Sequence, residues 1–123
     1  MSGILDRAKA HYSGLERSRI EVPEWGEAGK PLVVTFSPLT IAERRKIFRA
    51  DNKGVQPDGP IACVRAVILK ACDDKGKRLF DDLAEHDLIH NVDSAVVGRI
   101  AAAILVDVPQ DEFEEAVEAE KNA

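Results

Sequence analysis

Residues 94–106 read SAVVGRIAAAILV, and after Ser94 the only polar side chain in the run is Arg99. On a helical wheel Val96, Val97, Ile100, Ala101, Ala103, Ile104 and Leu105 point in nearly every direction. A helix apolar on all sides is buried by its neighbours or spans a membrane. A span needs about 20 apolar residues, and this run is shorter and carries an arginine. The stretch therefore predicts a central core helix that the other elements cover. Asp93 or Ser94 can cap its start by accepting from an orphan N–H of the first turn. Gly98 costs about 1 kcal/mol against alanine in a helix interior, which points to a close packing contact there.

The elements that would cover it follow in chain order. Residues 4–15 carry Ile4, Ala8 and Tyr12 at four-residue spacing, a short and loosely docked helix. Residues 18–22 then alternate, with Ile20 and Val22 on one side, as a half-buried strand does. Pro23 ends it, and Trp25 falls in a loop. Residues 30–36 alternate again through Leu32, Val34 and Phe36. The two strands pair as an antiparallel hairpin across a connection that looks long for a tight turn. Thr40-x-x-Glu43 is a capping box opening a helix that runs to about residues 51–54, with Ile41, Ile47 and Phe48 inward. Pro60 suits the first turn of the next helix, whose inner stripe is Ile61, Val64, Ile68 and Cys72, broadened by Val67 and Leu69. Residues 73–76 form a sharp turn and residues 77–80 a short extended segment. Asp81 or Asp82 then caps a helix to about His90, with Leu83, Ala84, Leu88 and Ile89 inward.

The expected class is α+β: a mostly helical small domain with an N-terminal β-hairpin and a buried helix near the C-terminus. One globular domain spans residues 1–108. Residues 109–123 are rich in Asp and Glu and are expected to form a mobile acidic tail. A formal charge of −5 argues against nucleic acid as a partner, because phosphate binding wants a basic surface. Residues 1–13 hold no apolar signal-peptide core. Cys63 and Cys72, nine apart on one predicted helix, face opposite ways and cannot bridge, which suits a reducing cytoplasm.

Catalytic patterns are weak. His86 and His90 stand at i, i+4 in His-Asp-Leu-Ile-His, a spacing that lets two imidazoles share one zinc ion. The intervening aspartate is shorter than the glutamate of such sites, and no third ligand is in view. A metal-dependent hydrolase using His86 and His90 is thus the weakest alternative, and solvated helix-surface histidines are the simpler reading. The cysteines read as small core residues without a catalytic partner. Asp73 to Gly76 resembles the start of a calcium loop whose later ligands do not follow. The expectation is no enzyme, no metal and no cofactor. Two features suit a partner instead. Arg44, Arg45, Lys46, Arg49 and Lys53 concentrate positive charge on one helix, and Trp25 is either an edge plug on the core or an interface anchor.

Three stretches in order resemble one family. They are IEVPEWG at residues 20–26 behind an N-terminal helix, SPLTIAER at residues 37–44, and LKACDDKGKRLF at residues 69–80 leading into the final helix pair. Together they are similar to the tail assembly chaperones of long-tailed (siphophage-type) bacteriophages and prophages, in their short form. The resemblance covers nearly the whole chain to about Val108. It implies a non-enzymatic assembly factor in the bacterial cytoplasm, absent from the mature virion. Such a factor binds the tape measure protein, keeps it soluble and promotes assembly of the tail tube around it. Contact with the tail tube protein would come chiefly through a frameshifted longer form. Glu120-Lys121-Asn122 can be encoded GAA AAA AAC, a run suited to slippage. A homo-oligomer is compatible, and neither nucleic acid nor membrane is an expected partner. The family carries over no fixed contact residues, so Trp25, Arg44, Arg45 and Arg49 are candidates on chemistry alone. The competing class is a small bacterial adaptor or regulatory interaction module of the same fold.

Overall fold

The computed structural model describes residues 3–106. The expected acidic segment, residues 109–123, lies outside them. The architecture is α+β, in the order α1 (Gly3–Gly14), β1 (Ser18–Glu27), β2 (Lys30–Phe36), α2 (Ile41–Phe48), α3 (Gly59–Lys70), a 3-10 turn (Asp82–Ala84), α4 (Glu85–His90) and α5 (Ser94–Ile104). No helix among the described residues is long and apolar enough to cross a membrane.

The strands form an antiparallel hairpin in which Ile20 opposes Val34 and Val22 opposes Leu32. Two expectations change here. β1 does not stop at Pro23 but continues to Glu27, because its register slips between Val22 and Glu27. A bulge tolerates a proline, since its residues need not donate to the ladder. The connection is then not long: Ala28 and Gly29 alone link Glu27 to Lys30, with φ of 50° and 77°. Two positive φ values suit a two-residue turn whose twist matches that of the strands. Gly26 has no freedom to become anything larger, because a Cβ there would overlap the Lys30 carbonyl and press on Pro31.

The far edge of β2 is also paired. Thr35 exchanges both backbone hydrogen bonds with Cys72, and Cys72 bridges to Arg78. Cys72 therefore lies beyond α3, not on a helix shared with Cys63 as the stripe suggested. Both cysteines are free thiols. Thr35 is buried; its hydroxyl donates to the Asp73 carbonyl at 2.7 Å and accepts from the Arg17 guanidinium.

α3, not α5, is the enveloped helix. It packs against α5, α2 and α4, and buries Ala62, Val64, Ala66, Val67 and Ile68. Asp58 caps it by accepting from the Ile61 N–H at 2.9 Å. α5 buries Val96, Val97, Ile100, Ala101 and Ile104 but leaves Ala95, Arg99 and Ala102 outside. A helical wheel counts alanine as apolar, yet so small a side chain leaves little apolar surface in water. Gly98 answers no close contact, since a Cβ there would meet open space. Asp93, not Ser94, supplies the cap, accepting from the Ala95 N–H.

α2 confirms its capping box: Thr40 Oγ1 accepts from the Glu43 N–H and Glu43 Oε1 accepts from the Thr40 N–H. Glu43 and Ile47 share the inward face, which turns Ile41, expected inside, out to 72% exposure. α2 ends at Phe48, earlier than expected, where Arg65 donates to the Ile47 and Arg49 carbonyls. Leu83, also expected inside, is 88% exposed. It sits in the 3-10 turn, where three residues per turn break the phase extrapolated back from buried Leu88. Ile89 is exposed as well.

The polar centre of the fold is Lys70. Only 5% of it is exposed, and Nζ donates to Ser37 Oγ at 2.8 Å and to Glu43 at 2.9 and 3.0 Å. Burial alone would raise the Glu43 carboxyl. The bond from the Thr40 N–H and the Lys70 ammonium outweigh it and hold the group below its ordinary 4.5.

Two stability predictions follow from this packing. Glu43→Ala strands a buried ammonium and should cost about 3 kcal/mol in chemical denaturation, whereas Lys70→Met should cost about 1 kcal/mol. A carboxyl depressed in the folded state stabilises above its unfolded value of 4.5 and ceases to as pH falls through the folded value. The Glu43→Ala difference should therefore shrink in acid titrations below that point. Gly26→Ala should cost about 2 kcal/mol by forcing backbone apart at the bulge, read as a lowered Tm.

Candidate partner-binding surface

The basic residues of α2 do not form one surface. Phase divides them: with Glu43 and Ile47 turned inward, Lys46 and Arg49 fall beside α3 and the segment leading into α4. There they meet Arg65 of α3 and Arg78 of the extended segment. The four cations line a cleft of about 450 Å³ with Ile47, Ile68, Leu69, Asp82 and Glu85. Arg44 is half-buried and Arg45 exposed, and neither lines the cleft. Lys53 lies in the exposed turn that Asp51 organises by accepting from the Lys53 and Val55 N–H groups.

Arg65 and Arg78 escaped the sequence reading. Their guanidinium groups are held by backbone: Arg65 by the end of α2, and Arg78 by the Ile68 carbonyl at 3.1 and 2.7 Å. Carbonyls orient these groups without neutralising them. Arg78 also lies 3.6 Å from Asp82, an exposed pair of little strength. A signal was present, since Arg65 interrupts the otherwise apolar run of α3, but only the fold sets it against α2.

Trp25 is half-buried and meets Phe80 edge-on, with ring centroids 6.0 Å apart at 81°. The bulge in β1 aims it there. The neighbouring Glu24 makes a two-pronged ion pair with Arg99 at 2.6 and 2.9 Å, tying β1 to α5. Those hydrogen bonds from Arg99, with one from backbone, lower the Glu24 carboxyl to about 2. Trp25 and Arg49 are thus on different parts of the molecule's contact network: one on the strand bulge, the other at the end of α2.

The alternative chemistry is thinly supported. His86 and His90 are exposed with ring centroids 4.4 Å apart, so the two imidazoles do share a helix face. Among the described residues no group of three His, Cys, Asp or Glu side chains could hold a metal. Burial pushes the Cys63 thiol up, away from the thiolate a nucleophile needs. The Asp73 carboxyl accepts from the Lys77 and Lys75 N–H groups, and these bonds lower it. It is occupied in closing its turn.

No family model matches the chain, and no curated protein or solved structure is significantly similar to it.

His90→Ala should change stability by less than about 0.5 kcal/mol, as expected of an exposed side chain, and the purified protein should carry no stoichiometric zinc. Metal analysis and thermal melts check both.

Proposed function

We propose that this protein is a non-enzymatic tail assembly chaperone of a long-tailed phage or prophage, acting in the bacterial cytoplasm on the tape measure protein. The reading rests on the three resembling stretches taken in order, and the fold gives each a distinct structural position. IEVPEWG is the bulged end of β1 with its Trp25 and Glu24 contacts. SPLTIAER is the junction of β2 with the capped α2 and the Lys70 cluster. LKACDDKGKRLF closes α3 and pairs with the free edge of β2. The stretches that carry the likeness are therefore the joints of the domain.

The chemistry of client binding suits this surface. A tape measure protein is long and helical, and a holder for such a chain works by covering apolar helix faces. Ile41, Val55 and Leu83 are each more than half exposed, which gives the described surface apolar contacts beyond its core. Tail tube protein would engage a longer, frameshifted form, and several copies could line one client.

The decisive experiment is affinity capture of the protein from cells expressing its native gene cluster, read by mass spectrometry. A very long helical protein should dominate the eluate. Host proteins alone, or no partner at moderate salt, would overturn the reading in favour of an adaptor module.

A further inference from the structure

Charge is distributed unevenly along this chain. Seven of its 22 acidic residues but only one of its 17 basic residues fall in residues 107–123, so that segment carries −6 and residues 1–106 carry +1. The acidity belongs to the segment that follows the described body, and the body itself holds a concentrated positive site.

That site is the cleft between α2, α3 and the segment entering α4, where Lys46, Arg49, Arg65 and Arg78 face only Asp82 and Glu85. Lys46 and Arg49 are exposed, and among the described residues neither side chain has a hydrogen-bond or ion-pair partner. Arg65 and Arg78 donate to backbone carbonyls, which fix the guanidinium groups and leave their charge in place. The four cations come from three separate parts of the chain and line a cleft of about 450 Å³, room for a few residues of polypeptide and more than one small ion fills. An anionic chain with closely spaced carboxylates can answer several of them together.

Residues 107–123 meet that requirement. Carboxylates stand at positions 111, 112, 114, 115, 118 and 120. An extended backbone sets 112, 114, 118 and 120 on one side, and a helical one groups 111, 114, 115 and 118. Several therefore face the cations in either conformation. The segment is also long enough. Its 17 residues span up to about 55 Å when extended, whereas a compact body of about 100 residues is about 35 Å across. Being joined to the body, it has an effective concentration at the cleft on the order of millimolar, an advantage that no free anion shares.

We infer that residues 107–123 occupy this cleft of their own chain, with their carboxylates on Lys46, Arg49, Arg65 and Arg78. Each exposed pair is weak and is screened by salt, so the segment exchanges on and off the cleft. It acts as a built-in competitor: any other anion reaches the four cations only by displacing it. This holds whatever partner the protein takes and does not rest on the chaperone reading.

The test is nuclear magnetic resonance of the nitrogen-15-labelled full chain, beside a variant with Glu112, Glu114, Glu115 and Glu118 changed to Gln. The side-chain N–H signals of Arg49, Arg65 and Arg78 should shift in that variant, while those of Arg7 and Arg19 stay in place. Raising salt from about 0.05 to 0.5 M should move the same three signals in the unaltered chain. Inorganic phosphate, as a probe anion, should bind the variant at least about threefold more tightly than the unaltered chain, and Lys46→Gln with Arg49→Gln should abolish that difference. Unmoved cleft signals, or shifts at Arg7 and Arg19 instead, would overturn the assignment. Equal phosphate affinity in the two chains would overturn it too, leaving a cleft open to any anion. Cleft shifts that fade on tenfold dilution would give the occupant's place to the segment of a second copy. The shifts decide the matter even where phosphate binds too weakly to measure, and the salt series decides it without any variant.

Discussion

An ammonium group at the end of α3 sits almost wholly out of water, and the surrounding structure is arranged to satisfy it. Lys70 cannot be buried charged without partners, because desolvating an ion costs several kcal/mol. Ser37, the Pro38 carbonyl and Glu43 supply them. Ser37 and Pro38 lie in the short junction between β2 and α2 and Glu43 in the first turn of α2, so one side chain ties the end of the hairpin to two helices. Glu43 has a second duty, accepting from the Thr40 N–H as half of the capping box. A local start signal and a tertiary ion pair therefore share one carboxylate. The shared carboxylate fixes the rotation of α2, which decides that Ile47 enters the core and Ile41 does not.

A comparable economy governs the hairpin. Thr35 is paired to β1 on one edge and to Cys72 on the other, and its hydroxyl joins Arg17 to the Asp73 carbonyl. This turns a two-stranded ribbon, which is marginal alone in water, into part of a wider sheet-like layer, with β1 packed against α5. The bulge in β1 does the complementary job at the other end. It bends the strand so that Trp25 reaches Phe80 and Glu24 reaches Arg99. Both ends of the hairpin are thus fastened to elements far along the chain.

Strong local chemistry was readable from the residues alone. The Thr40–Glu43 box, the proline-opened α3, the alternating faces of β1 and β2 and the turn at Asp73 all depend on neighbours within a few positions. What could not be read depends on contacts across the chain. The wheel of α5 gave small alanines the same weight as larger side chains and so placed the centre of the domain at α5 rather than at α3. The Ile41 and Leu83 errors have one cause, a helix phase extended past the residues that set it. For the candidate site, the basic character of α2 was legible, but of Trp25, Arg44, Arg45 and Arg49 only Arg49 lines the cleft. That Lys46 and Arg49 stand across a cleft from Arg65 and Arg78 was not, since those pairs lie 16 to 32 positions apart in a sequence with no marker linking them.

The uneven charge of the chain bears on how the cleft would work. At an ionic strength of about 0.1 M, charges much more than about 10 Å apart barely sense one another. A bulk value of −5 therefore says little about the potential inside a cleft walled by four cations. The local balance is what counts there, Lys46, Arg49, Arg65 and Arg78 against Asp82 and Glu85.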